Sequence, residues 1–279
     1  MAVSSKPLPK SIYSRPKESF FQNANVRAAC LFIASLILFL ALWEIGARME
    51  LFAKGMPTAS TTIKELWWWI TNPFFDNGPN DLGIGWNLLI SLRRVAIGYI
   101  AASLVAVPLG ILIGISPAAR MGFNPYIQLL KPISPLAWLP LGLYILRDSE
   151  QTGIFIIFIS SIWPTLINTS FGVANVSKEY LDVAKTLGAS RFRTIFKVII
   201  PAALPNILAG LRISMGIAWL VIVAAEMLLG TGLGYFIWNE WNNLYIPNIL
   251  VAIFIIGLVG LILDSCFAAV EKFVVFGRK

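Results

Sequence analysis

Ser177-Lys178-Glu179-Tyr180-Leu181-Asp182-Val183-Ala184-Lys185-Thr186-Leu187-Gly188, followed directly by Ala189-Ser190-Arg191-Phe192-Arg193-Thr194-Ile195-Phe196-Lys197-Val198-Ile199-Ile200-Pro201, is a polar island between two long apolar stretches. Tyr180, Val183, Ala184 and Leu187 recur at i, i+3, i+4 and i+7, the spacing of one helix face. Ser177 is placed to cap that helix, Glu179 puts an acid in its first turn, and Gly188 suits its stop. Phe192, Ile195, Phe196 and Ile199 repeat the spacing, with Ser190 as cap and Pro201 as closure. The pattern predicts two short amphipathic helices meeting at a glycine turn, with Lys185, Arg191, Arg193 and Lys197 toward water. Such a pair either rests on lipid or enters a groove on a soluble partner. The spacing alone does not choose between them.

The flanking sequence says where this island sits. Of 279 residues, 57% are hydrophobic and only 13% charged, too little polar surface to coat a globule in water. The chain is therefore read as an all-α, polytopic membrane protein. A bilayer core about 30 Å thick needs about 20 apolar residues in helix. Six stretches qualify: 28–47, 95–115, 126–147, 153–171, 207–229 and 249–270. The third holds Pro132, Pro135 and Pro140 and is expected to be kinked or partly broken. With the N-terminus in the cytoplasm, 15 of the 22 Lys and Arg residues fall on inner segments and 4 on outer ones, which places both termini inside. That topology and anionic lipid account for the net charge of +8 without a nucleic-acid partner.

The resulting plan is a cytoplasmic tail over 1–27, then a first span with an outer interfacial helix over 28–85. A six-span core completed over 86–272 carries the loop 177–201, and 273–279 is a second cytoplasmic tail. Trp67, Trp68 and Trp69 suggest that 58–70 lies on the outer membrane surface, or forms part of a partner's docking surface. Gly98, Ala102, Ala106, Gly110 and Gly114 recur every four residues and are read as a close helix contact.

Chemistry is narrowed by what is missing. There is no histidine, which removes His-based triads, His general bases and His-ligated metals. Cys30 and Cys266 are read as inert packing thiols, so no metal site is expected. No Gly-x-x-x-x-Gly-Lys-Ser/Thr loop occurs, so the chain is not expected to bind nucleotide.

Asp182-Val183-Ala184-Lys185-Thr186-Leu187-Gly188 with Val198-Ile199-Ile200-Pro201 resembles the EAA…G…I-x-L-P loop of the membrane subunits of bacterial ABC importers. Asp182 stands for the Glu of that motif, Val183 and Ala184 for its two alanines and Gly188 for its glycine, while Val198, Ile200 and Pro201 match its trailing part. The resemblance covers roughly 86–275 and implies the type I importer permease fold. It further implies that the loop, through Asp182, Val183, Ala184, Gly188, Arg191 and Pro201, couples to the ATPase. The partners so implied are two ATPase subunits that bind ATP and Mg, a second permease copy, an extracytoplasmic binding protein and membrane lipid. This chain would carry no cofactor and be no enzyme. Pro135-Leu136-Ala137-Trp138-Leu139-Pro140, Gly210-Leu211-Arg212-Ile213-Ser214 and Ala224-Ala225-Glu226-Met227-Leu228 are similar to the nitrate, bicarbonate, sulfonate and taurine branch. Ser161–Thr169 and Phe236-Ile237-Trp238-Asn239 point toward nitrate permeases of the cyanobacterial kind.

For an anion, Arg212 in the fifth span offers planar donors, with Trp138 and Asn168 as further candidates for its path. The alternative for Arg212 is a pairing with a carboxylate that locks helices. Glu226, 14 residues on and expected on the same face, would repel an anion and is read as a gate or structural charge. The expected function is inward translocation of nitrate or nitrite across the inner membrane by alternating access, with bicarbonate or an organosulfonate such as taurine as alternatives. An ATP-independent carrier or channel would explain the spans but not the loop.

Overall fold

The computed structural model describes residues 24–51, 54–78 and 81–276. Most of the expected N-terminal tail and the last three residues lie outside them. The chain divides into two compact units, 1–61 and 62–279.

In the first unit, α1 (Ala24–Arg48) is uninterrupted by charge from Ala28 to Trp43, and its apolar side chains, Leu31, Phe32, Leu38 and Phe39 among them, are exposed. Glu44 accepts hydrogen bonds from the Ser60 backbone N–H (3.0 Å) and hydroxyl (3.1 Å), anchoring the start of α2 (Ala59–Thr71) with an acid where a helix N-terminus favours one. Arg48 pairs with the same carboxylate one turn on, at 2.8 Å.

In the second unit, the end of α2 shows why three consecutive tryptophans cannot share one environment: successive helical side chains point about 100° apart. Trp67 and Trp68 are exposed, whereas Trp69 is buried. Its indole N–H donates to Asn248 at 2.8 Å and its ring meets Phe236 and Phe75. Trp69 is thus a core residue and not part of an interfacial belt. A loop closed by a single Asp76–Leu82 bridge leads into α3 (Ile84–Ile115), which takes in Arg93 and Arg94 and so begins well before the expected span.

Ser116 caps α4 (Pro117–Leu130). Pro132 and Pro135 then deny the helix its next backbone donors, and after a short 3₁₀ turn (Pro135–Trp138) the chain resumes as α5 (Leu139–Leu146). The two halves of this third span lie at 83°, so the expected break is a sharp one. Asp148 caps α6 (Ser149–Ala174), whose first-turn amide at Gln151 it binds at 2.7 Å. The cytoplasmic pair follows as α7 (Lys178–Thr186) and α8 (Arg191–Thr194).

Here the structure corrects one expectation. Pro201 does not close the second helix. Ile195–Ile199 forms a single π turn, with Ile200 N–H bonded to Ile195 C=O, and the chain runs on as α9 (Ile200–Leu229). A proline clashes with the carbonyl four residues back, and a locally widened turn relieves that clash without ending the helix. Gly230, at φ +84°, ends α9, and α10 (Leu233–Asn242) and α11 (Ile246–Phe276) complete the chain.

Among the described residues five helices are long and apolar enough to cross a membrane, six if the bent pair counts as one span. Helix α6 is held between α3 and α9 at backbone contact. A Cβ placed on Gly98 would lie 2.7 Å from the Ile154 carbonyl, and one on Gly110 2.7 Å from Thr169 Cβ. On the other side Gly210 abuts Asn168 and Pro164. The small-residue stripe is therefore a helix contact. A second core of Trp69, Ile84, Trp219, Ile222, Leu233 and Phe236 packs α10 and the loops onto the outer end. Cys30 and Cys266, expected among packed side chains, are both free and exposed.

Candidate functional site

The cytoplasmic pair is built from local chemistry. Ser177 Oγ accepts from Glu179 N–H and Ser190 Oγ from Arg193 N–H, so both expected caps are in place. Between them Gly188 N–H reaches Lys185 C=O and Ala189 N–H reaches Ala184 C=O, each at 3.0 Å. This is a Schellman turn, and it needs Gly188 at its φ of +67°. Leu181, Ile195 and Ile199 pack with Val173, Ala203 and Ile207 at the inner end of the bundle. Tyr180, Val183, Leu187, Phe192 and Phe196 do not; all five are exposed, with Leu187 at 79% and Phe192 at 77%. Of the predicted apolar face of α7 only Ala184 is buried, because Leu181 rather than Tyr180 turns toward the bundle. Asp182 and Arg191 are exposed beside this apolar patch and Pro201 is half-buried at its root.

Three charges within the long helices, Arg94, Arg212 and Glu226, each have a partner of opposite sign. Arg212 makes a two-pronged ion pair with Asp264 (2.7 Å on both arms) and a longer contact to Glu271 (3.4 Å), tying α9 to α11. This gives Arg212 the carboxylate partner that the helix-locking reading requires. Arg212 and Glu226, expected on one face, turn to different neighbours. Fourteen steps of about 100° fall about 40° short of four turns, and that offset separates them. Glu226, fully buried, faces α3 and the start of α10. It accepts from Ser91 Oγ (2.7 Å), Arg94 Nη1 (3.0 Å) and Gly234 N–H (3.2 Å). Arg94, 2% exposed, also binds Glu150 (2.9 Å) and both the carbonyl and hydroxyl of Thr231. Sequence reasoning gave Arg94, at the edge of the expected second span, no role; the available signal was a second charge of opposite sign, Glu226, near the outer end of another span.

Trp138 packs beside Leu139, Ile156, Ala225 and Leu229. Asn168 donates to the Pro164 carbonyl of its own helix and abuts Gly210. With Arg212 facing α11, the three expected path residues have separate neighbours. Cavities bordered by polar side chains lie elsewhere. One of about 430 Å³ opens at the inner ends of α3, α4 and α6, beside Arg120, Asn124, Ser170 and Asn175. Another, of about 420 Å³, lies at the outer end between Glu65, Asp81, Glu240 and the rings of Trp68, Trp69 and Phe75. Burial pushes the Glu240 carboxyl above its usual range despite a hydrogen bond from Asn248, and the Asp81 and Glu65 charges push it the same way. The hydrogen bond from Tyr245 to Glu65 (2.7 Å) holds the phenol above its usual range. Among the described residues no group of His, Cys, Asp and Glu is placed to hold a metal.

Residues 106–275 match the model of the binding-protein-dependent transport system inner membrane component family. The chain is 42% identical to a nitrate import permease protein of Synechocystis over 92% of both chains, and 40% identical to a bicarbonate transport system permease protein of the same organism over 88% of this chain and 89% of that one. It is 32% identical to the taurine transport system permease protein of Escherichia coli, with the same coverage. In fold it resembles the membrane subunit in inward-facing structures of a methionine ABC transporter, with a TM-score of 0.58 at 12% identity over 76% of this chain and 98% of that one. An amino acid ABC transporter matches at the same TM-score and 17% identity, over 76% and 97%.

Proposed function

This chain belongs to the family of binding-protein-dependent transport system inner membrane components, and from that footing we propose that the ion it passes inward is nitrate or nitrite. The chain is a permease subunit of an ABC importer and a multi-pass inner-membrane protein. It is a transport component, with ATPase activity on partner subunits.

The observation that carries the substrate reading is the 42% identity to a nitrate permease over nearly the whole of both chains. A bicarbonate permease at 40% supports bicarbonate as the second reading, and the taurine permease at 32% supports an organosulfonate as the third. The three ions have in common a single negative charge spread over oxygens that accept planar hydrogen bonds.

For coupling, the exposed apolar patch of α7 and α8 is the surface that an ATPase subunit covers. Its large side chains stand in water in the lone chain, and burying each gives roughly 1.5–3 kcal/mol. Asp182, Val183, Ala184, Gly188, Arg191 and Pro201 present and support it. Two identical permease copies and two ATPase subunits make the working unit, and the loaded binding protein docks on the outer loops. Closure of the ATPase pair draws the coupling helices together, and the path alternates between outward and inward access.

Reconstituting this chain with its ATPase subunits and binding protein in proteoliposomes tests the reading. ATP hydrolysis stimulated by nitrate, and not by bicarbonate or taurine, is the expected result. Stimulation by bicarbonate alone overturns the substrate assignment and leaves the architecture standing.

A further inference from the structure

We propose that the cavity at the inner ends of α3, α4 and α6 is a binding station for a small oxyanion, with Arg120 supplying its charge and Asn124 and Ser170 its further donors. This rests on the reading above that the cargo is an anion.

The first observation is an inventory of positive charge. Arg48, Arg93, Arg94 and Arg212 are each matched by a carboxylate of the chain. Arg120, in common with Arg147, Arg191 and Arg193, is in no ion pair among the described residues, and of these four it borders this cavity; its Nη2 donates to the Gly114 carbonyl at 2.8 Å. That bond fixes the guanidinium against the end of α3 and leaves its other N–H groups free to point elsewhere, in a planar fork suited to two oxygens of one ion. Arg120 also lies in the first turn of α4, whose capped N-terminus adds positive potential.

The second observation is independent. Ser170 is nine-tenths buried, lines the same cavity from α6 and has no hydrogen-bond partner among the described residues. Its hydroxyl opens onto the cavity, where an oxygen of a bound ion can accept from it. Asn124 stands one turn after Arg120 and borders the cavity too. Asn175 gives an amide N–H to Phe171 at 2.8 Å and closes the rim.

No Asp or Glu lines the cavity, and the remaining walls are apolar side chains such as Ile113 and Leu166. One cation, a few neutral donors and greasy walls suit a weakly hydrated monovalent oxyanion. They hold it strongly enough to enter and loosely enough to leave. The station lies where α3 and α6 reach the cytoplasm, so it is the last polar stop before release. A further inner cavity, beside Lys185 and Arg191, is walled largely by α7, α8 and the π turn and belongs with the proposed coupling surface.

Two experiments decide it. In proteoliposomes holding the full complex, Arg120→Gln is expected to lower labelled nitrate uptake roughly tenfold or more, the scale of one lost charge-assisted bond. Arg120→Lys recovers part of it with a raised KM, and Lys131→Gln, an exposed cation outside the cavity, has no effect. In the second, Asn124→Cys is placed in a Cys30→Ser, Cys266→Ser background. An anionic methanethiosulfonate is expected to modify it faster than a cationic one, nitrate should slow the reaction, and Arg120→Gln should abolish both effects. Equal rates without protection overturn the proposal, as does undiminished uptake in Arg120→Gln. A wild-type complex that carries no anion overturns the cargo reading instead, and the protection experiment still decides the station.

Discussion

The buried pair of Arg94 and Glu226 shows how a single residue is held by the others around it. Each has little or no contact with solvent, and each is satisfied by several partners, so removing one leaves the other charged and unmatched. Glu226→Ala or Arg94→Ala should destabilise the purified protein by about 3–5 kcal/mol, read as a fall in midpoint on detergent thermal melts, and the double replacement Arg94→Met with Glu226→Leu should cost less than either. Arg212 differs because its pair is partly exposed. Arg212→Gln is expected to lower the melting midpoint while assembled complexes keep nitrate uptake. Lost uptake with an unchanged midpoint would return Arg212 to the anion path. Charges at this scale were legible one by one in the sequence, but their partners were not. Asp264 is 52 positions from Arg212 and Glu226 is 132 from Arg94, and no periodicity reports such distances.

Elements were far more legible, because their signals are local. Caps at Ser177 and Ser190, the glycine turn at 188 and the broken third span follow from side-chain hydrogen bonding, left-handed backbone and proline sterics within a few residues. What failed at this scale were the places where a neighbour overrides the local signal. Trp69 is drawn inward by Asn248 and Phe236, and Pro201 is absorbed by a π turn. The stripe on α3 gives a direct test. Gly110→Ala would set a methyl against Thr169 and should cost about 1–3 kcal/mol by forcing α3 from α6. Gly122→Ala on α4 meets nothing within 4 Å and should be neutral or stabilising by about 0.5–1 kcal/mol. On α10 the Glu240 carboxyl lies above its ordinary value of 4.5. A raised acid favours the folded state fully below that value and loses this contribution as pH climbs through the raised one. Glu240→Gln should therefore raise the melting midpoint relative to the parent at pH 8 and make no such gain at pH 4, measured by tryptophan fluorescence.

At the scale of the molecule, hydropathy was enough to give a six-span membrane protein, since the bilayer imposes span length on any chain that crosses it. The loop motif then gave the family. Which ion passes was not legible, because the chain resembles permease proteins named for nitrate, bicarbonate and taurine alike, at 42%, 40% and 32% identity. The exposed patch on the cytoplasmic pair belongs to this scale, because the coupling proposed for it needs a partner subunit. Val183→Ser with Leu187→Ser should leave insertion and melting unchanged but abolish co-purification with the ATPase subunits. The π turn between that pair and α9 has its own consequence here. It makes 191–229 one continuous rod of 39 residues, about 58 Å long, with a single supernumerary residue near its base. That residue acts as an angular offset: it fixes the azimuth at which the cytoplasmic patch stands relative to every side chain farther along the rod. Excising one residue between 195 and 199 would leave both surfaces chemically intact and turn one against the other by about 100°.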